Sequence, residues 1–211
     1  MQEPWKTDKW FTSPWCHLPE VRKDLKFRND IKIYDVTLRD GEQQTAVVFR
    51  REEKVAIAKK LDAMGVHRIE AGMPAVSEQD KAAICDIAAL GLKADIFAFA
   101  RCIPEEIKTV KACGVKGVVV EIPASDHMVQ NAYGWSLDRA MKASIDTTLA
   151  AKEAGLYTVF FTIDATRTEL NRFLDIVTQV ATEGHMDALT IADTMGVCTP
   201  EAVHHVVGKV I

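Results

Sequence analysis

Residues 31–43 read IKIYDVTLRDGEQ, a short alternating run that ends in a burst of charge around Gly41. Ile31, Ile33, Val36 and Leu38 supply apolar and β-branched bulk, so the front half reads as a buried strand over 31–37. Arg39, Asp40 and Glu42 follow at its exit. Such residues are rarely buried unless paired, so packing explains them poorly. In an α/β barrel the carboxyl end of a strand is the reactive face, which makes this exit a candidate for chemistry.

Outward from this stretch the chain keeps alternating. A helix is predicted over 51–64, with Val55, Ile57, Ala58, Leu61 and Met64 on one stripe and Gly65 ending it. Its first turn, RREEK (50–54), reads as a solvated face with glutamates favoured by the helix dipole. A strand over 67–71 precedes a helix over 77–90 that Ser77 caps. A strand over 94–100 leads to a helix over 104–112, with Pro104 at its start. A strand over 117–122 runs into a long polar loop, PASDHMVQNAYGW. A helix over 136–154, a strand over 157–163, a helix over 167–182, a strand over 187–191 and a helix from about residue 200 complete the chain.

Six β–α units without a hairpin signal imply a parallel sheet with helical crossovers. The near-continuous apolar strands fit a sheet covered on both faces. An open dinucleotide-binding sheet should carry G-x-G-x-x-G after its first strand, whereas the turn here is LRDGEQ, so the barrel is favoured. A full barrel needs eight units and typically ~250 residues. The expected fold is therefore α/β, a (β/α)8 TIM barrel that is incomplete, with six of eight units in residues 31–211. The chain then reads as a fragment, or as a short protein that closes its open edge with another copy or a partner. Residues 1–30 form an N-terminal arm, and Trp5, Trp10 and Trp15 are expected to bury their rings.

Composition narrows the function class. The chain is 48 % hydrophobic and 27 % charged, as soluble globular proteins are. A net charge of −4 argues against nucleic acid as a partner. No apolar run approaches the ~18 residues of a membrane span, and the N-terminus lacks the pattern of a secretory signal. Five cysteines show no C-x-x-C pairing, and Cys85, Cys102 and Cys113, among apolar neighbours, read as reduced core thiols, so the expected localisation is cytoplasmic.

A polar residue closes nearly every strand. The exits carry Arg39, Asp40 and Gln43; Glu70; Arg101; Glu121 with Ser125, Asp126 and His127; Asp164 and Arg167; and Asp193 with Thr194. Carboxylates and arginines at one mouth could hold a divalent cation together with a carboxylate substrate. Glu121 reads equally as a pocket carboxylate or as the partner of an arginine. His67, at the start of the second strand, reads as structural.

D-V-T-L-R-D-G-E-Q (35–43), R-I-E-A-G-M-P (68–74), I-D-A-T-R-T-E (163–169) and A-D-T-M-G-V-C-T-P (192–200) together resemble the DRE-TIM metallolyases. Within that group they look like the acetyl-CoA-condensing branch: 2-isopropylmalate, homocitrate and citramalate synthases. The G-E-Q ending favours the synthases over lyases or aldolases of the superfamily. The resemblance implies an acyltransferase that joins acetyl-CoA to a 2-oxo acid in a Claisen-type condensation, with a divalent metal (Mg2+, Mn2+ or Zn2+). It implies Asp40 as a metal ligand, Arg39 as support for the oxyanion, Glu70 in the substrate pocket and Gln43 in the metal's outer sphere. Arg167 and Thr194 would meet the substrate carboxylate or the pocket wall. Arg101 and His127 are further candidates for substrate or CoA contact.

Two departures stand out. The family completes its metal site with an H-x-H pair at the seventh strand, and the chain ends before one; His204 and His205 are adjacent on a predicted helix and point about 100° apart. Ile163 stands where synthases often show a glutamate. The readings carried forward are a synthase-like enzyme that forms homo-oligomers, and a non-catalytic barrel remnant that acts through self-association or a partner.

Overall fold

The computed structural model describes residues 3–23 and 30–211. It divides into an N-terminal unit up to Lys32 and a body from Ile33 to Ile211. The first unit contains a 3-10 turn, Pro14–His17, and a short helix α1, Pro19–Arg22, neither of which buries a residue. Trp10 and Trp15 are exposed, contrary to the expected burial of the arm's rings. Trp5 is half-buried, with its ring 5.7 Å from that of His17.

The body is a serial β/α array. Six strands, β1 (Tyr34–Asp35), β2 (Arg68–Glu70), β3 (Asp95–Arg101), β4 (Gly117–Pro123), β5 (Tyr157–Ile163) and β6 (Ala188–Ile191), pair in chain order. Every pairing is parallel. Helices α2 (Arg51–Met64), α3 (Glu78–Ala88), α4 (Pro104–Ala112), α6 (Leu137–Glu153) and α7 (Leu170–Glu183) supply the crossovers, and α8 (Pro200–Val210) follows β6. This is the incomplete TIM barrel expected from the alternation, with six units present. Among the described residues no helix is long and apolar enough to cross a membrane.

Strand alternation sorts the side chains into two layers. Val118, Val120 and Ile122 of β4 face outward with Ile69, Ile96 and Phe160, against Ile84, Ile107 and Phe173 of the helices. Phe97, Phe99, Val119 and Val159 face inward, joined by Tyr34, Tyr157 and Phe161. The inner floor is aromatic, and the guanidinium of Arg68 lies 5.0 Å from the Phe97 ring centre and 4.4 Å from that of Tyr157. Gly117 makes this floor possible. A Cβ there would fall on the Phe97 ring and 2.7 Å from the carbonyl oxygen of Tyr157.

Three local readings are corrected. The first strand shrinks from 31–37 to Tyr34–Asp35, and Ile31 and Ile33 are exposed. The turn that follows sets its end: the Val36 carbonyl accepts the N–H groups of Arg39, Asp40 and Gly41, while at its start the Ile33 carbonyl still accepts the N–H groups of His67 and Arg68. The polar loop after β4 contains a helix, α5 (Asp126–Asn131), whose N-cap Ser125 accepts the Met128 N–H. Finally, the RREEK turn is not wholly solvated, because Lys54 is only 2 % exposed. It is buried because Glu42 and Asp80 both pair with its ammonium group.

Candidate active site

The exits of β1 and β2 bring three of the expected residues together. The turn after β1 aims Arg39 across to Glu70, whose Oε1 accepts from Arg39 Nε. Arg39 Nη1 also donates to Asp40 Oδ1 at 3.1 Å. The guanidinium stacks on Phe99 of β3, 4.3 Å from the ring centre. Glu70 is 1 % exposed, and its second oxygen accepts from Tyr34 Oη at 2.6 Å. Burial pushes the Tyr34 phenol far up, and the charge of Glu70 adds to the effect, so Tyr34 stays a donor. Arg39 is thus held on three sides, with Asp40 beside it. Asp40 itself is 59 % exposed at the mouth.

A second cluster joins the exits of β4, β5 and β6. Asp164 ends β5 in a left-handed conformation, φ 57°, which aspartate tolerates better than most residues. Its backbone N–H donates to Thr194 Oγ1 at 2.9 Å, tying the β5 and β6 exits. Its carboxylate takes a bidentate pair from Arg167, at 2.6 and 2.8 Å, and a 2.5 Å bond from Ser125 Oγ. The Arg167 hydrogen bonds hold Asp164 below the usual aspartate range, against the effect of burial. Nearby, Asp193 accepts from Thr166 Oγ1 at 2.6 Å and from the backbone of Val197 and Cys198. Ser125, His127, Asp164 and Arg167 line one cavity of about 290 Å³.

Of the other expected residues, Arg101 and Gln43 stand apart from these clusters. Arg101 pairs with Glu106 on α4. Gln43 is exposed on the turn. The His127 ring is turned toward Asn131, with Nδ1 3.2 Å from Nδ2. His67 accepts the Ile33 N–H at 3.0 Å, a structural link between β1 and β2.

Glu121 sits on the inner face, in register with Arg101 on one side and Phe161 on the other. Instead of pairing directly with an arginine, its Oε1 accepts from Tyr133 Oη at 3.1 Å. Burial raises its carboxyl above the ordinary glutamate value, partly offset by Tyr133, Arg39 and Arg101.

Sequence reasoning passed over Tyr34, because a tyrosine in a strand reads first as packing, and Tyr133, because it lies beyond α5 in a segment that reads as a polar loop. Asp164 and Arg167 did carry a signal, since three residues apart after a strand they can close on one another.

Among the described residues no three His, Cys, Asp or Glu side chains are grouped to hold a metal ion. A hard divalent cation takes about six oxygen ligands. Asp40 is exposed at the mouth, but Glu70 is engaged by Arg39 and Tyr34, and Asp164 by Arg167 and Ser125. The residues present therefore do not by themselves fit a resident divalent cation.

Comparison with known proteins gives concordant matches. The chain is 37 % identical over 199 residues to homocitrate synthase AksA of Methanothermobacter thermautotrophicus, covering 94 % of this chain and 50 % of that protein. It is 39 % identical over 181 residues to a putative (R)-citramalate synthase, CimA, of Archaeoglobus fulgidus, covering 85 % and 37 %. It is 35 % identical over 189 residues to 2-isopropylmalate synthase 2 of Caldanaerobacter subterraneus, covering 87 % and 48 %. The chain thus spans about half, or less, of the length of these relatives. Among solved structures, the HMG-CoA lyase of Bacillus subtilis matches with a TM-score of 0.74 at 17 % identity, over 88 % of this chain and 65 % of that one. That likeness concerns the fold alone. The HMGL-like family model matches residues 30–211, and the chain belongs to that family.

Proposed function

We propose that this chain forms the keto-acid-binding side of an acyltransferase that condenses acetyl-CoA with a 2-oxo acid. The observation that carries the reading is Arg39, a guanidinium fixed by Glu70 and by the Phe99 ring beside Asp40 at the barrel mouth. A donor held in place before reaction is suited to stabilising the alkoxide that forms as a carbon nucleophile adds to a ketone. The likeness to homocitrate, citramalate and 2-isopropylmalate synthases supports this reaction class.

The residues take distinct parts. Arg39 supports the keto oxygen, and Glu70, with Tyr34 behind it, orients Arg39. Arg167 and Thr194, with His127 on the same cavity, belong to the binding wall, and Gln43 and Arg101 to the rim. Glu121, half-buried on the inner face and raised in pKa, is suited to take a proton from the acetyl methyl group. The resulting enolate attacks the keto carbon to form the new C–C bond. Water then cleaves the thioester and releases the CoA thiol. A divalent cation (Mg2+, Mn2+ or Zn2+) would polarise the keto carbonyl, with Asp40 as a ligand and the others from outside the described residues. The edges of β1 and β6, each with one neighbour, are the natural surfaces for self-association.

The test is to incubate the chain with acetyl-CoA, Mn2+ and a panel of 2-oxo acids while following free thiol. Thiol release that depends on one 2-oxo acid, and is lost in Asp40→Ala and Arg39→Ala, is the expected result. No release under any condition removes condensation from this chain and leaves a non-catalytic barrel as the reading.

A further inference from the structure

Lys54 is a lysine with almost no exposure in the first turns of α2, flanked by carboxylates from two other segments. Its Nζ lies 2.6 Å from Glu42 Oε2 and also pairs with Asp80 Oδ1. Glu42 belongs to the turn after β1, between Asp40 and Gln43. Its other oxygen accepts the Phe49 N–H at 2.9 Å, closing the loop that leads into α2. Asp80 is fixed in turn by Ser77, whose Oγ donates to Asp80 Oδ2 at 2.6 Å and accepts the Asp80 N–H at 3.0 Å. An unbroken chain of bonds therefore runs from the cap of α3, through the buried lysine, to the turn that carries Arg39 and Asp40.

Stability alone is a poor reason for such a group. A buried ion triad loses much of its Coulomb energy to desolvation, and apolar replacements are often as stable. What a triad supplies better than an apolar contact is one defined geometry. Without it the part of the turn beyond Gly41 hangs on short local bonds, from Gln43 N to Asp40 O at 3.0 Å and from Val47 N to Gln44 O at 3.1 Å, while its first half keeps the Val36 carbonyl and the reach of Arg39 to Glu70.

We propose that Lys54 is a positioning residue: through Glu42 it anchors the turn after β1 to α2 and α3, and so sets where Arg39 and Asp40 stand at the mouth. The catalytic part of this inference rests on the acyltransferase reading, whereas the anchoring part stands on geometry alone. Lys54 touches no substrate in this scheme.

The experiment is amide hydrogen exchange on the whole chain, comparing wild type with Lys54→Met. Amides of Gln43, Val47 and Phe49 should exchange at least about tenfold faster, while those of β4 and β5 keep their protection. A second variant, Lys54→Met with Glu42→Gln and Asp80→Asn, removes the charges together and guards against misfolding from the unpaired carboxylates. It should fold with β4 and β5 protected as in wild type and show the same fast turn. Wild-type protection of the turn in either variant, or equal loosening of the whole body in both, overturns the anchor. In the thiol assay Lys54→Met should lower kcat about tenfold with the KM for acetyl-CoA nearly unchanged, the pattern of lost transition-state positioning. If wild type releases no thiol, the enzymatic reading has failed and the catalytic purpose of the anchor falls with it, while hydrogen exchange still decides the anchor itself.

Discussion

Tyr34 Oη donates to Glu70 Oε2 at 2.6 Å, so the carboxylate that holds Arg39 is itself held from the neighbouring strand. Removing the hydroxyl in Tyr34→Phe leaves a buried carboxylate oxygen without its donor. The expected cost is about 1–2 kcal/mol, read as a lower urea midpoint with an unchanged slope. In the thiol assay the loss should fall on kcat more than on KM, because Glu70 acts through Arg39. A variant as stable and as active as wild type would show that Arg39 alone keeps Glu70 in place.

The Asp164–Arg167 pair should carry pH-dependent stability. Asp164 lies below the ordinary aspartate value, so its contribution is fully present above the unfolded-state pKa and is lost as pH falls through the lowered folded value. Arg167→Ala leaves this aspartate buried with only Ser125 as a side-chain donor. The cost at neutral pH should be about 2 kcal/mol, less than for a fully buried pair because the Arg167 side chain is 40 % exposed. Thermal melts from neutral to strongly acidic pH check both parts: the wild-type and variant curves should converge in acid. A constant gap across the range would assign the loss to packing.

Glu121 has the opposite sign. Its folded pKa is raised, chiefly by burial, so the protein favours its protonated form. Its ionisation therefore costs stability as pH rises from the unfolded-state value through the folded one. Glu121→Gln should raise the melting temperature at neutral pH, and the gain should vanish below the ordinary glutamate range. The same variant should abolish thiol release if Glu121 takes the acetyl proton. Stabilisation with full activity would remove Glu121 from that role.

Gly117→Ala tests the aromatic floor. The new methyl meets the Phe97 ring and the Tyr157 carbonyl, so Phe97 must move and disturb the stacking of Arg68. Overpacking of this kind costs about 1–3 kcal/mol. Near-UV circular dichroism should change with stability, since Phe97 and Tyr157 share an edge-to-face contact 5.7 Å between centres. An unchanged spectrum with unchanged stability would mean the floor has slack.

The sequence carried the fold wherever local chemistry closes an element. Pro104 starts α4, the left-handed Gly65 ends α2, and the apolar run Tyr157–Ile163 is β5 with the expected bounds. Reading failed where partners decide. Val36 and Thr37 look like strand, but the Val36 carbonyl is captured by the turn that follows, and Ile31 and Ile33 stay exposed ahead of β1. Ser125 caps α5 inside a segment whose polarity signals only a loop. Lys54 resembles any solvated lysine in a charged first turn until Glu42 and Asp80, 12 and 26 residues away in sequence, are seen beside it. For the site, Arg39, Asp40 and Glu70 were legible as chemistry at strand ends. Which carboxylate each arginine would engage was not, because pairing across strands depends on register.

The serial strand order also bears on how the chain is made. Each strand pairs with the strand before it in sequence, so the sheet never waits for a distant segment to return. Once β2 and α2 have left the ribosome they can dock on β1, and each later unit adds to an edge already formed. Contacts between neighbouring units keep loop-closure costs small and favour vectorial folding during synthesis. Beside the outer edge of β1, the growing edge is the face that each intermediate must keep from other chains, and in the described body that growing edge is β6.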